Sequence, residues 1–406
     1  MAVDTANMLV VHVDMVQALA LAVCTYYFGV WLKHVIPVLE RLSVPSPVVG
    51  GMPFAFLLSV LEGSGIMRVV FDSTLQTVLM LAFFTTIGMM ASLKLIGQGG
   101  KLLLGFLFSV TVLAVLQNVL GVAITKLMGV DFHYGLLAGS VSMMGGLGTS
   151  AAFGPNFEQL YGITGGTMVA ALTIGGPFGE WLIRKYKVRT PMTDPEVAAK
   201  LNVPEEVETD IIDEHAAEHS TFTEQLLKAG GMIAICMALG TIVSHYLGQF
   251  ITLPAYIGSM IVAAIVRNIA DFTGKLKIDK VGLNAVADIS LVLFVTMAIN
   301  SLKLHELVNL ALPLVVTLVC QTLLMLAFAW GVLFMCFGRN FTAVMLTVGG
   351  IGFSMGATAN GLANMQALSE KYGQSPQAWL IVSVVGAFLI DLINALIITS
   401  MAQMPL

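Results

Sequence analysis

Long apolar runs separated by short polar turns fill most of the 406-residue chain. A helix needs about 20 apolar residues to cross a bilayer, and ten runs approach or exceed that length. The first five lie at roughly 15–32, 46–62, 74–92, 102–127 and 163–183, and the second five at roughly 225–247, 254–270, 284–300, 307–337 and 376–402. The pattern predicts an all-α membrane protein with five transmembrane helices in each half.

Two further apolar stretches, at about 134–157 and about 341–368, are interrupted by glycine and hydroxyl side chains. The first contains GSVSMMGGLGTSAAFG and the second GGIGFSMGATANGLANM. Glycine costs a helix interior about 1 kcal/mol relative to alanine, and in hydrocarbon every freed backbone group needs a partner. We therefore expect two re-entrant hairpins whose tips meet near the midplane. The alternative is close helix packing, because Gly352 and Gly356 have the G-x-x-x-G spacing.

The composition supports a membrane protein. Hydrophobic residues make up 57% of the chain and charged residues 11%, against about 25% charged residues in soluble domains. The four cysteines have no metal-binding spacing and are expected to be small buried hydrophobes. The N-terminal segment before the first apolar run lacks Lys and Arg, so we expect that run to be a retained span rather than a signal peptide. No span carries an HExxH motif or a nucleophile–base pair, which argues against a membrane enzyme.

One long hydrophilic segment, residues 184–225, separates the halves and is rich in acids and proline. Such a composition is typical of a flexible linker. The chain is thus predicted to consist of a membrane repeat, a cytoplasmic linker and a second membrane repeat, at 1–187, 188–223 and 224–406. Within the linker, His215, Glu218 and His219 match the H-x-x-E-H zinc motif. Because no folded domain is predicted around them and no third ligand is evident, they are interpreted as part of a solvent-exposed stretch of charged residues.

The two halves resemble each other in sequence. Five short matches recur in the same order at a spacing of 204 to 211 residues. They are Pro47 to Gly51 with Pro254 to Gly258, Ser92 to Leu95 with Ser301 to Leu304, Gly145 to Ser150 with Gly349 to Ser354, Tyr161–Gly162 with Tyr372–Gly373, and Glu180 with Asp391. Ordered matches at a nearly constant spacing indicate an internal duplication. Because five is an odd number of spans, the two copies face opposite ways, an inverted-topology repeat that is characteristic of secondary transporters.

The distribution of positive charge predicts an orientation. With the linker in the cytoplasm, the outer connections hold only Arg68, Lys126 and Lys303, and the other 16 of the 19 Lys and Arg residues lie on the inner side. We therefore expect a multi-pass protein of the inner membrane with its N- and C-termini outside.

The two glycine-rich breaks carry the candidate ligand groups. Helix N-termini present N–H groups to an anion such as a carboxylate, and exposed carbonyls coordinate a hard cation such as sodium. No Lys or Arg lies deep in a span except Arg267, which is expected to reach the inner surface, so N–H and hydroxyl groups must hold a dicarboxylate. The candidate substrate-binding residues are Ser142, Gly145, Gly146, Gly148, Thr149, Ser150, Gly350, Gly352, Ser354, Thr358, Asn360 and Asp391. The candidate sodium-binding residues are Gly148, Gly356, Asn364, Glu180, Asp391 and Asn394.

The carboxylates of Glu180 and Asp391 lie inside predicted spans, where a charge costs about 2.5–3.5 kcal/mol on insertion scales. Asp391 is well inside the last span, where it can meet sodium or a substrate ammonium, or serve as a structural or neutral acid. Glu180 lies near a basic cluster, where it can serve the site or form an ion pair with Arg184 one turn later.

The stretches GGLGTS at 145–150 and GGIGFSMGATANGLANM at 349–365, in a two-by-five layout with a central polar loop, resemble the bacterial sodium/glutamate symporter family. The resemblance covers essentially the whole chain. It implies sodium-coupled uptake of L-glutamate, re-entrant loops between the fourth and fifth spans of each half, and a homodimer in the lipid bilayer. It also implies a distant fold relation to sodium/citrate carriers, which move a transport domain against a scaffold.

Leu147 departs from the family pattern, in which histidine is common at this position. The departure leaves open another dicarboxylate or a hydroxycarboxylate as the substrate. A passive channel is a less favoured alternative, because two opposed hairpins suit alternating access better than a continuous polar path. Sodium is the expected coupling ion; we expect no cofactor, no transition metal and no nucleic-acid partner.

Overall fold

The computed structural model of the chain describes residues 8–37, 39, 44–163, 175–192, 194, 197, 222–247, 254–274, 278–305, 310–356 and 358–404. The first half contains β1 (Leu9–Val13), α1 (Met15–Val35), α2 (Ser46–Gly63), β2 (Met67–Phe71), α3 (Thr74–Met89), α4 (Leu93–Leu127), α5 (Phe132–Leu136), α6 (Gly146–Tyr161) and α7 (Gly175–Tyr186). The second half contains α8 (Phe222–Leu247), α9 (Ala255–Thr273), α10 (Lys280–Asn300), α11 (Ala311–Phe328), α12 (Phe341–Ser354), α13 (Thr358–Tyr372), α14 (Pro376–Val384) and α15 (Ile390–Ala402). π-Helical turns follow α5, α11 and α14, at Leu137–Val141, Ala329–Phe334 and Val385–Leu389.

Within the described residues, seven helices are long and apolar enough to cross a bilayer: α1, α2, α4, α8, α9, α10 and α11 with its π-helical turn. The chain is therefore a multi-pass membrane protein. The third predicted span is the shorter apolar helix α3, and the tenth is built from α14, a π-helical turn and α15. Residues 164–174 of the fifth predicted span lie outside the described residues, as do His215, Glu218 and His219 of the linker.

The first two helices of each half cross at glycine. A Cβ atom on Gly50 of α2 would overlap the carbonyl oxygen of Thr25 in α1. In the same way, a Cβ atom on Gly258 of α9 would overlap the carbonyl oxygen of Gly240 in α8. Residues without a bulky side chain permit this close approach of helices in membranes. Gly258 pairs with Gly51 in the sequence match, so the two crossings lie one residue apart in the alignment of the halves.

The second and third helices of each half contact those of the other half. A Cβ atom on Gly51 of α2 would lie 2.7 Å from Cγ2 of Ile299 in α10. One on Gly88 of α3 would overlap the carbonyl oxygen of Met260 in α9. The halves are therefore interlocked, since α2 packs on α10 while α3 packs on α9.

The turns that follow the third helices are held by side chains of the opposite half. The Leu93 N–H donates to Oδ1 of Asn268 in α9 over 2.8 Å. The Leu304 N–H donates to Oγ of Ser59 in α2 over 2.8 Å. Leu93 is the second residue of one copy of the Ser-Leu-Lys-Leu sequence and Leu304 the fourth residue of the other, so each copy is bonded to the opposite half through a different position.

A short β-pair adds two strands to the mostly helical fold, which agrees with the predicted all-α membrane protein in its other elements. Strands β1 and β2 run parallel, with Leu9 opposite Met67 and Val13 opposite Phe71. The five residues of β1 precede α1 directly, and the sequence analysis placed no element there. The pairing joins the chain before α1 to the chain after α2. Two strands of this length are stable only against other structure, and Val13 and Phe71 pack with α1, α3 and α10 in an apolar cluster.

The fourth helix of the first half bends before it enters the apolar core. Gly100 has φ 58° and ψ −149°, a conformation that only glycine adopts without strain, and it separates Leu93–Gly99 from the apolar run that follows. Beyond the bend, Phe106 packs edge-on against Phe353 of α12, with ring centroids 6.0 Å apart. The contact between Phe106 and Phe353 therefore places α4 beside the second glycine-rich break.

Candidate functional site

The first break separates the π-helical turn after α5 from α6. Gly146 begins α6 with φ 61°, in the left-handed region that favours glycine. Hydroxyl groups fill the break: the Oγ of Ser142 donates to the Leu137 carbonyl over 2.6 Å, and the Oγ of Ser150 lies 3.3 Å from the Oγ of Ser142. Both serines are fully buried. The hydroxyl groups of these two serines are thus bonded inside an apolar surrounding, as the hydrocarbon requires.

The second break lies between Ser354, the last residue of α12, and Thr358, the first of α13. The two helices lie side by side, because a Cβ atom on Gly352 would overlap the Cα of Gly361. The Oγ1 of Thr358 donates to the carbonyl of Gly386 over 2.6 Å. Gly386 belongs to the π-helical turn before α15, so the start of α13 is tied to the last membrane-crossing segment.

The two breaks are in contact. The Oγ of Ser354 lies 3.4 Å from the Sδ of Met144, and both residues are buried. Each break joins the C-terminal end of one helical segment to the N-terminal end of another. Helix N-termini carry partial positive charge and C-termini partial negative charge, so this contact offers groups for both an anion and a cation.

Most of the predicted site residues lie at or next to these breaks. Those at the first break are Ser142, Gly145, Gly146, Gly148, Thr149 and Ser150, and those at the second are Gly350, Gly352, Ser354, Gly356, Thr358 and Asn360. Asn364 lies one turn further along α13, where it is buried and its Nδ2 has no hydrogen-bond partner in the described part of the chain. The roles assigned to these residues stay predictions.

Asn394 brings α15 to the first break. Its Nδ2 donates to the Ser140 carbonyl over 3.0 Å, and its side chain is fully buried. Asp391 lies one turn earlier on α15 and is half-buried. Its carboxylate makes no hydrogen bond or ion pair with any other described residue. An unpaired carboxylate in a membrane helix is costly, so its presence supports a role in ligand binding.

Glu180 lies elsewhere, among basic groups. Its Oε1 is 2.6 Å from Nη2 of Arg184, and it also accepts hydrogen bonds from Lys371 and from the Tyr372 hydroxyl. The bond to Glu180 raises the pKa of Lys371 above its ordinary value. Lys371 lies thirteen residues beyond Thr358 in α13, about 20 Å along the helix from the second break. The contacts favour the ion-pair interpretation of Glu180 over a sodium ligand.

The substitution Glu180→Gln separates these two interpretations. Because the carboxylate is engaged by three neighbours far from the breaks, we expect the sodium concentration for half-maximal uptake to stay within about twofold of the unsubstituted value. Lys371→Met, which removes one of these neighbours, is the matched variant and should behave in the same way. A rise of tenfold or more in Glu180→Gln alone would instead assign Glu180 to the sodium site.

Three amide side chains at the breaks were missed by the sequence analysis. Gln117 and Asn118 are adjacent on α4, Gln321 lies on α11, and all three are fully buried. The Nε2 of Gln117 donates to the Ser354 carbonyl over 3.2 Å, and the Nε2 of Gln321 donates to the Gln117 carbonyl over 2.6 Å. Asn118 Oδ1 accepts the Ser140 N–H over 2.9 Å. A signal was present, since Gln321 follows Gln117 by 204 residues, the spacing of the glycine stretches.

A multi-pass helical membrane protein with two interrupted helices in contact is the type of structure that secondary transporters use to bind small ions. The profile of the sodium/glutamate symporter family matches residues 11–374. The sodium/glutamate symporter of Escherichia coli K12 is 36% identical over 402 residues, which cover 97% of this chain and 99% of that protein. The sodium/glutamate symporter of Haemophilus influenzae is 35% identical over 395 residues, covering 93% and 95%. The chain belongs to the sodium/glutamate symporter family, which is a class of transporters and not of enzymes.

Proposed function

We propose that the protein carries out sodium-coupled symport of L-glutamate into the cell. The observation that carries the proposal is the contact between the two breaks at Met144 and Ser354, in a chain that matches the family over nearly its full length. Helix N-termini at the breaks hold the substrate carboxylates, and backbone carbonyls with Asp391 and Asn394 hold sodium. Sodium serves as the coupling ion, and no other cofactor is part of the proposal.

The proposed architecture is a pair of inverted five-span repeats joined by a cytoplasmic linker, with each break at the tip of a re-entrant hairpin. Two observations support the duplication: the first two helices of each half cross at a glycine, Gly50 or Gly258, and each copy of Ser-Leu-Lys-Leu is bonded to the opposite half, through Leu93 or Leu304. Alternating access then follows if the hairpins and fourth helices move against the interlocked first three helices of both halves. A homodimer in the inner membrane completes the proposal.

Uptake into proteoliposomes tests this function. We expect saturable accumulation of labelled L-glutamate that requires an inward sodium gradient. Unlabelled aspartate, glutarate and hydroxycarboxylates added as competitors decide the substrate preference that Leu147 leaves open. Uptake that rises linearly with substrate concentration and does not depend on sodium would favour a channel. If a hydroxycarboxylate is the strongest competitor of labelled glutamate uptake, the proposed substrate changes but the proposed mechanism does not.

Cysteine labelling tests the proposed orientation. In a variant whose four native cysteines are alanine, Ser220→Cys in the linker should resist a membrane-impermeant maleimide on intact cells. Ser64→Cys, at an exposed position between α2 and β2, is the matched outer control and should be labelled. Labelling of Ser220→Cys with protection of Ser64→Cys would reverse the orientation.

A further inference from the structure

We infer that Gln117 and Gln321 form a binding site for a cationic group where the fourth helices of the two halves meet. The inference deepens the proposed function and rests on it. It concerns two residues that lie outside the glycine-rich stretches and whose side-chain amides are hydrogen-bonded where α4 meets α11 and α12.

The hydrogen bonds fix which way each amide points. Both amide nitrogens approach carbonyl oxygens, Gln117 Nε2 the oxygen of Ser354 and Gln321 Nε2 the oxygen of Gln117. An amide turned by 180° would set oxygen against oxygen, so only the observed orientation is favourable. The two Oε1 atoms must therefore point away from these carbonyls.

Both Oε1 atoms are buried and lack a hydrogen-bond partner among the described residues. An acceptor left in this condition costs free energy, because it has lost its water without replacement. Here two such acceptors lie in one region: the Gln321 amide extends from α11 and is bonded to the backbone carbonyl of Gln117 on α4, the residue that carries the other amide. A pair of unsatisfied oxygens is complementary to a cation.

The C-terminal end of α12, which lies next to Gln117, also carries partial negative charge. Ser354 is the last residue of α12, and the final carbonyls of a helix have no partner within it. They carry the partial negative charge of the helix dipole, and carbonyls at interrupted helices are the groups that coordinate sodium in transporters. Gln117 is bonded to Ser354, so its amide oxygen and the negative end of α12 belong to the same small region.

The pair is also related by the duplication. Gln321 follows Gln117 by 204 residues, as GGIGFS follows GGLGTS. One glutamine from each half therefore contributes an oxygen. Two cations fit this chemistry, the sodium ion and the α-ammonium group of the amino acid, and the experiment below distinguishes them.

The test uses Gln321→Met, which keeps the length of the side chain and removes its oxygen. Loss of the donor is tolerable, because the Gln117 carbonyl lies within α4, where the N–H four residues later is its ordinary partner. Thr317→Val is the matched control: Thr317 lies one turn earlier on α11, is fully buried, and donates to Pro313 of its own helix over 2.7 Å.

The sodium arm measures the melting temperature of the purified protein at rising NaCl, with choline chloride holding the ionic strength and no glutamate present. A bound ion stabilises the folded state according to its occupancy. We expect sodium to raise the melting temperature of the unsubstituted protein and of Thr317→Val. Gln321→Met should need at least tenfold more sodium for the same rise.

The ammonium arm measures how well glutarate, which lacks the ammonium group, competes with glutamate for uptake. If the ammonium group is the ligand, the preference for glutamate over glutarate should fall at least tenfold in Gln321→Met and not in Thr317→Val. A loss in either arm supports the inference and names the cation. Unchanged values in both arms overturn it.

If Gln321→Met does not fold, a measurement on the unsubstituted protein still tests the inference. With ¹³C at the glutamine side-chain carbonyls, the infrared difference spectrum between sodium and choline, or between glutamate and glutarate, should show a shifted carbonyl band. No shift in either spectrum overturns the inference. The proposed function is tested separately by uptake, so sodium-driven uptake combined with these negative results removes the glutamine site alone.

Discussion

Replacing Gly352 by alanine should lower sodium-driven glutamate uptake at least about tenfold while leaving the protein in the membrane. The added Cβ atom would overlap the Cα of Gly361, so α12 and α13 must separate. Overpacking of this kind costs about 1–3 kcal/mol, and about 1.4 kcal/mol corresponds to a factor of ten in population. Ser354 and Thr358 lie at the ends of these two helices, so the separation displaces the second break directly.

Gly331→Ala is the matched control for this substitution. Gly331 lies in the π-helical turn after α11, and a Cβ atom there would meet nothing within 4 Å. We expect uptake and melting temperature to remain close to those of the unsubstituted protein. Uptake is measured in proteoliposomes containing equal amounts of purified protein. Near-normal uptake in Gly352→Ala would contradict the close packing of the second break.

The glycine pattern of the sequence predicted where the helices are interrupted. Gly146 has the positive φ that a break requires, and Gly352 touches Gly361 across the paired helices. Both features follow from the local sequence, because glycine, which has no Cβ atom, is needed wherever the backbone turns sharply or two helices touch. Both copies of the Ser-Leu-Lys-Leu match are bonded to the opposite half, at Leu93 and at Leu304, although these leucines stand at different positions of the match.

The residues that the sequence analysis missed are those whose importance depends on distant neighbours. Gln117 is one polar residue in a long apolar helix, and only the packing of α4 against α11 and α12 joins it to Gln321 and Ser354. Glu180 illustrates the opposite case. Glu180 and Asp391 were both candidate sodium ligands, but α13 places Lys371 and Tyr372 beside Glu180, whereas Asp391 has no hydrogen-bond or ion-pair partner among the described residues. The neighbours that packing brings to each carboxylate, and not its place in the sequence, distinguish the two.

The pair of strands could not be read from periodicity. Five residues from Leu9 to Val13 are too short to distinguish a strand from the start of the following helix. Their partner lies beyond two membrane helices, and parallel pairing of this kind is set by where those helices end.

Asp391→Asn should abolish sodium-driven accumulation of glutamate, or raise the sodium concentration for half-maximal uptake at least about tenfold. The carboxylate is half-buried in α15 and has no hydrogen-bond or ion-pair partner among the described residues, whereas Asn394 one turn later is bonded to the first break. The amide has nearly the same shape, so packing is preserved while the charge is lost. Coupling needs that charge, because sodium and substrate must each favour the state that the other favours.

The melting temperature separates this role from a structural one. Since an uncompensated charge in a membrane helix costs free energy, Asp391→Asn should melt at the same temperature as the unsubstituted protein or higher when sodium is absent. Asp288→Asn, the same chemical change at an exposed position of α10, is the control and should leave sodium dependence unaltered. If Asp391→Asn instead lowers the melting temperature and retains ordinary sodium dependence, Asp391 serves the fold, and ligand binding falls to the two breaks and the groups that contact them.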